Sequence, residues 1–192
     1  LFQSKFDKDP NDANTYGLAL AHQKNNNYEK SINLLDKLIK KYPKNLVINT
    51  TKVDILTAFG NYSDALILVD KFLEISPKNY PLSISKSKLL LAMKSYFESE
   101  EIIRDQLLRK NDDPELWLLL SEIQRNSQNI LGYHQSRAEY YLLLGQDEQA
   151  LNQLEFALKM TQNNFQASER IMTKIVDIKK DLGESRGCLL YT

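Results

Sequence analysis

Glycine and proline are scarce here, six and five in 192 residues. So few breakers exclude a turn-rich β fold and favour helices, as does the abundance of Lys, Leu, Asn, Glu and Ile. A single cysteine, Cys188, excludes an internal disulfide and leaves cytosol and periplasm both open. Neither sign of charge prevails, with 25 basic against 25 acidic residues. That balance lacks the basic footprint of a nucleic-acid binder. No apolar run approaches the length of about 18 residues that a membrane span requires. The longest, such as Leu89 to Met93 and Leu116 to Leu120, span barely more than one helical turn. The chain opens on leucine without a charged and apolar leader. It reads as a fragment or excised domain whose targeting signal lies elsewhere. The length and a hydrophobic content of 42% suffice for one core or a tandem array.

What is present is a repeat. Pro43 and Pro77 each close a helical pattern, and their spacing sets a period of about 34 residues. Gly60 precedes Tyr62 by two and Ala65 by five, and Pro77 follows Ala65 by twelve. The same frame holds Asn26, Tyr28 and Ser31 before Pro43, then Lys94, Tyr96 and Ser99, and again Gly145, Asp147 and Ala150. A glycine at the turn permits the left-handed backbone that ends a helix. An aromatic two residues on fills the gap between paired helices, a small residue lets them approach, and proline stops the second. This pattern resembles the tetratricopeptide repeat. Ser31 and Ser99 in place of alanine, and Lys94 in place of glycine, predict looser packing in their repeats.

The apolar spacing agrees. Tyr62, Ala65, Leu66, Val69, Phe72 and Leu73 form one helical face, as do Ile171, Ile175, Ile178 and Leu182. Asp113-Pro114-Glu115 reads as a helix start. About ten antiparallel helices are predicted, at 12–24, 28–41, 46–59, 62–75, 80–93, 97–110, 114–127, 130–144, 147–160 and 164–182. The fold class is all-α, a TPR-like α-solenoid forming a curved superhelix with a concave face. Ala65 and Ala150 lie two and a half periods apart, which predicts one irregular hairpin near 112–133. Residues 1–182 form the repeat domain. Gly183 reads as a helix cap, and 183–192 as a disordered tail or a cloning scar.

Catalytic patterns are missing. His134 and Glu139, five positions apart, sit about 140° from each other on a helix and cannot face one metal. His134 is expected to cap or pack at its helix start. Neither His134 nor His22 belongs to a His-Glu-x-x-His helix. No Gly-x-Ser-x-Gly elbow or phosphate-binding glycine loop occurs. The acids at Glu98, Glu100, Glu101, Asp112 and Asp113 fall at a helix start and a turn, where solvated and capping acids belong. Trp117 and the Tyr140–Tyr141 pair read as core and groove packing. No enzyme activity is assigned to this chain.

The order of motifs carries a narrower resemblance over about nine tenths of the chain. Tyr16-Gly17-Leu18-Ala19-Leu20-Ala21 heads the first helix. Two proline-closed repeats follow, then Pro114-Glu115-Leu116-Trp117-Leu118-Leu119-Leu120-Ser121. Next come His134-x-x-Arg137-Ala138-Glu139-Tyr140-Tyr141, Ala150-x-x-Gln153-Leu154-x-x-Ala157-Leu158 and Gln166-Ala167-Ser168-Glu169-Arg170-Ile171. This set resembles the C-terminal repeat region of bacterial zinc metallopeptidases of the β-barrel assembly-enhancing protease type. The resemblance implies a periplasmic protein whose repeats dock onto outer-membrane assembly machinery or misfolded outer-membrane proteins. It also implies zinc in an upstream peptidase domain. No cofactor or metal is expected within this chain.

Repeats of this kind bind polypeptide along the first helix of each pair. The repeat register places Tyr16, Gln23, Asp54, Lys88, Glu122, Arg125, Gln135 and Glu139 on that groove. Their mixed signs argue against a simple carboxylate clamp. The alternative is a stand-alone scaffold or assembly lipoprotein with no peptidase in cis. A His-Glu-x-x-His helix upstream would decide for the first reading, and a lipobox near Leu1 for the second.

Overall fold

The structure is a computed structural model describing residues 11–161 and 164–188, with Ser4, Asp7 and Asp9 before them; of 183–188 it describes the backbone. Between residues 12 and 188 it holds ten α-helices and, among the described residues, no strand. The chain divides into two units, Leu1–Ser95 and Tyr96–Thr192.

The first unit holds α1 (Asp12–Lys24), α2 (Tyr28–Lys41), α3 (Leu46–Phe59), α4 (Tyr62–Ile75) and α5 (Tyr80–Ala92). The second holds α6 (Tyr96–Leu107), α7 (Pro114–Asn126), α8 (Ile130–Leu143), α9 (Asp147–Lys159) and α10 (Phe165–Cys188). Most boundaries fall within a residue of expectation. α6 stops at Leu107, short of the expected 110, because the chain turns there and the Asn111 carbonyl accepts the Trp117 indole N–H at 2.8 Å. α10 does not stop at Gly183 but runs through it to Cys188. Residues 189–192 lie outside the described residues.

The helix starts follow a ladder of side-chain caps. Asn11, Asn45, Asn79 and Asp113 recur once per period, and each side chain accepts a backbone N–H of the first helical turn. The tight turns recur likewise. Asn26, Gly60, Lys94 and Gln128, again one period apart, all have positive φ. At each, the second residue of the turn reaches back five: Asn27 to His22, Asn61 to Leu56, Ser95 to Leu90 and Asn129 to Gln124. This is the Schellman closure, which satisfies the last carbonyls of the helix.

The irregularity expected near 112–133 lies one helix later. The α7–α8 hairpin keeps the period through Gln128. The next positive φ comes only half a period on, at Gly145, where Gln146 N–H reaches the Tyr141 carbonyl at 2.9 Å. The same tight turn thus closes both ends of α8. α8 accordingly carries small residues on two faces. Gly132 and Ser136 meet Gln124 of α7, whereas Ala138 packs with Leu154, Ala157 and Ile171.

Ser31 and Ser99 do not loosen their repeats. Both are fully buried, and the Ser31 hydroxyl donates to the Ala19 carbonyl at 2.7 Å. Lys94 does adopt the conformation expected of glycine, with φ of 64°. A left-handed non-glycine residue costs roughly 1–2 kcal/mol, and glycine's extra unfolded-state freedom returns about half of that as a penalty. Lys94→Gly is therefore expected to stabilise the protein by about 0.5–1 kcal/mol, seen as a higher urea midpoint. Asn26→Gly should change little, since asparagine tolerates this region.

Two cores fill the first unit. Ala19, Leu35, Leu38, Ile48 and Ile55 join α1, α2 and α3; Val53, Leu56, Ala65, Val69, Phe72, Leu82 and Leu89 join α3, α4 and α5. An ion pair recurs with the period beside them, Lys52 to Asp36 at 2.5 Å and Lys86 to Asp70 at 2.7 Å. In the second unit Ala138, Leu154, Ala157, Ile171, Ile175 and Ile178 form the core of α8 to α10.

Candidate functional site

In the first unit, the first helix of each pair presents polar side chains at matching repeat positions. Thr51 and Ser85 are one period apart, as are Asp54 and Lys88. The Tyr16 hydroxyl lies 2.8 Å from Thr51 Oγ1, linking α1 to α3. Ser85 hydrogen-bonds the Asp54 carboxyl and Lys88 lies near enough to act on its charge, linking α3 to α5. Asp54 is exposed to water, yet the protein around its carboxyl partly desolvates it. Desolvation pushes its pKa above the ordinary 3.8, against the smaller opposing effects of Ser85 and Lys88.

A carboxyl with a raised folded pKa binds more protons folded than unfolded, so stability falls as pH rises from 3.8 to the folded value. Asp54→Asn is expected to stabilise the protein at pH 7 by well under ~1 kcal/mol, because water still reaches the group. The difference should vanish near pH 3, which paired thermal melts at the two pH values would show.

Tyr16 also lines an apolar hollow of about 420 Å³ with Leu38, Tyr42, Val47 and Ile48. At its edge Asp12 accepts from Lys41 Nζ and the Tyr42 hydroxyl, both at 2.6 Å. These bonds hold the Asp12 carboxyl below its ordinary pKa and raise that of Lys41. Gln23 sits half-buried in the last turn of α1, away from this hollow.

In the second unit, Gln135 and Glu139 line a hollow of about 260 Å³. Its floor includes Leu120, Leu154 and Ile171; its rim includes Arg104, Arg170 and Lys174. The buried Gln124 amide closes one wall. Its oxygen accepts from Ser136 at 2.7 Å and its nitrogen donates to Glu100 at 3.3 Å. Arg104 donates to the same Glu100 oxygen, and Lys174 donates to Glu139. Glu122 and Arg125 are exposed on α7 and do not line this hollow.

His134 packs as expected of a structural residue. Its Nδ1 lies 2.8 Å from Gln153 Oε1, and its ring stacks on Phe156. Glu139 turns to Lys174 instead, so the two residues have separate partners. Tyr140 and Tyr141 lie beside each other under the Arg137 guanidinium. Among the described residues no group of three or more His, Cys, Asp and Glu could hold a metal ion. No described helix is long and apolar enough to cross a membrane.

Sequence reasoning missed Arg104, Arg170, Lys174 and Gln124. Lys174 and Glu139 come from helices that are not consecutive, and no motif joins them. The one usable signal was the period itself, which also marks the asparagine caps and the Asp36–Lys52 and Asp70–Lys86 pairs.

Tetratricopeptide repeat profiles match residues 13–45 and 56–123, together more than half of the chain. No curated protein matches it in sequence. Several solved structures share the fold. A MamA chain from Desulfovibrio magneticus RS-1 has a TM-score of 0.59 at 14% identity, covering 88% of this chain and 96% of that one. A tetratricopeptide repeat protein from Parabacteroides merdae has a TM-score of 0.58 at 16% identity, covering 91% and 75%. A thermophilic TPR protein from Thermus thermophilus has a TM-score of 0.54 at 13% identity, covering 86% and 100%.

Proposed function

Because this chain belongs to the tetratricopeptide repeat family, we propose that it is a protein–protein interaction scaffold that holds partner polypeptides against the first helices of its repeats. One observation carries the reading: Asp54 and Lys88 form an exposed polar row at matching repeat positions on α3 and α5, joined where the buried Ser85 hydroxyl of α5 hydrogen-bonds the Asp54 carboxyl. Such a row offers side-chain partners to an extended chain while the apolar face of each helix stays in the core. No catalysis is assigned to these residues.

The finer proposal rests on the ordered motifs from Tyr16 to Ile171. In it the scaffold serves a periplasmic zinc metallopeptidase of the assembly-enhancing type and presents outer-membrane proteins or their assembly machinery to it. Zinc would belong to the peptidase domain. The mass and N-terminal sequence of the native product decide this. A His-Glu-x-x-His helix upstream supports it, and a product near 22.2 kDa leaves a stand-alone scaffold.

The scaffold reading itself is tested by changing Asp54, Lys88, Glu122 and Arg125 together to alanine. Binding of an arrayed peptide library should weaken at least tenfold while helicity by circular dichroism is retained. Unchanged binding by the folded variant would remove these residues from the site.

A further inference from the structure

We propose that the outer face of α10 is a self-association surface, on which a second copy of this chain lays its own α10 antiparallel about a two-fold axis. The proposal goes beyond the scaffold reading and does not depend on which polypeptide the repeats hold. α10 gives one face to its own core through Ile171, Ile175 and Ile178. A second stripe runs along its exposed side, where Phe165 is 79%, Met172 54% and Val176 63% exposed. Positions 165, 169, 172, 176, 179 and 183 recur at alternating steps of four and three, the spacing that keeps a seam turned toward a partner helix. A solenoid face with no helix stacked on it is ordinarily polar. Single exposed apolar residues need no explanation, but three of them along one seam mark a surface that is covered.

The charges on the seam select a second copy as the cover. A two-fold interface is self-complementary, so each contact occurs twice. With the axis at the level of Lys174, residues equally far before and after it come level. Met172 then packs on the partner's Val176, and Val176 on the partner's Met172. Phe165 comes level with the partner's Gly183, where no side chain stands in its way. Glu169 comes level with the partner's Lys179, with the partner's Lys180 beside it. Glu169, Lys179 and Lys180 are all exposed. The Glu169 carboxylate makes no hydrogen bond or ion pair among the described residues, and Lys179 makes only a long pair with Glu155, at 3.7 Å. A parallel pairing would set Glu169 against the partner's Glu169 and Lys179 against the partner's Lys179, two repulsive layers. The antiparallel pairing turns both into attractive ones.

The test is sedimentation equilibrium of the full chain, with a reducing agent present so that Cys188 cannot link copies. The mean mass should climb from 22.2 kDa toward twice that value over about 1–300 μM, the range suited to a small interface. Met172→Glu should keep the chain at its monomer mass throughout, because it sets an unpaired carboxylate against the partner's Val176. Glu169→Lys should weaken association about tenfold by opposing like charges. Adding Lys179→Glu and Lys180→Glu to that variant should restore it. All of these positions are exposed, and each variant is first matched to the parent in helicity. A chain that stays at 22.2 kDa across the range overturns the proposal, as does a dimer that survives Met172→Glu. Indifference to Glu169→Lys overturns it too, since a parallel or unrelated contact would ignore that change. Each of these failures leaves the scaffold reading intact.

Discussion

Gly132→Val is expected to destabilise the protein by about 3 kcal/mol, combining overpacking with the lost buried hydrogen bond. Gly132 is buried where α8 crosses α7. A Cβ there would lie 2.7 Å from the Asn129 amide nitrogen and 2.8 Å from that of Gln124. Neither amide can swing away freely. Gln124 is only 1% exposed and is held by Ser136 and Glu100, and the Asn129 oxygen caps the start of α8 by accepting from Gly132 N–H at 3.0 Å. Valine would drive the Gln124 amide off Ser136 and leave two buried polar groups unpaired. Gly132→Ala meets the same amides with one methyl, while helix propensity returns about 1 kcal/mol. Its cost should be well below that of valine. Urea denaturation followed by circular dichroism separates the two. A valine variant with the parent's midpoint would show that α7 and α8 do not approach as described.

Leu89→Ala should cost about 3 kcal/mol, the middle of the range for emptying a fully buried leucine site. Leu89 is 0% exposed, in the core with Val53, Ala65, Val69 and Leu82. Its neighbour Lys88 projects to water on the same helix, so Lys88→Ala should stay within about 0.5 kcal/mol of the parent. The contrast between adjacent positions is the informative quantity. Equal losses would mean that α5 is rotated about its axis relative to the packing described.

Much of the fold was legible because its determinants are local. Asp113 before Pro114, Pro77 just beyond α4 and the apolar faces of α4 and α10 all act within a turn or two of chain, so spacing reveals them. Interactions across helices were harder to read. Ser31 looks like a packing defect until the Ala19 carbonyl is seen above it. Lys94 and Gln128 carry no side-chain signature of a left-handed turn, because the hairpin imposes that conformation on them. Gly183 looks like a cap, yet the helix continues through it. The candidate site was legible in half. Asp54 and Lys88 follow from register, and Gln135 and Glu139 do reach a hollow, but the cations that give that hollow its charge come from α6 and α10, which register places elsewhere.

The doubled turn around α8 has a consequence for engineering. Before Asn129 the protein can be cut, duplicated or grafted in whole periods at its tight turns, because those at Asn26, Gly60, Lys94 and Gln128 share one closure. At α8 one helix answers to both neighbours, with glycine and serine for the helix before it and alanine for the helices after it. From that point the modular step is a single helix with its turn, half the length of the step before it. A graft that respects only the longer step would bring the Gly132 and Ser136 side of α8 to helices that pack on its Ala138 side, and join the wrong faces.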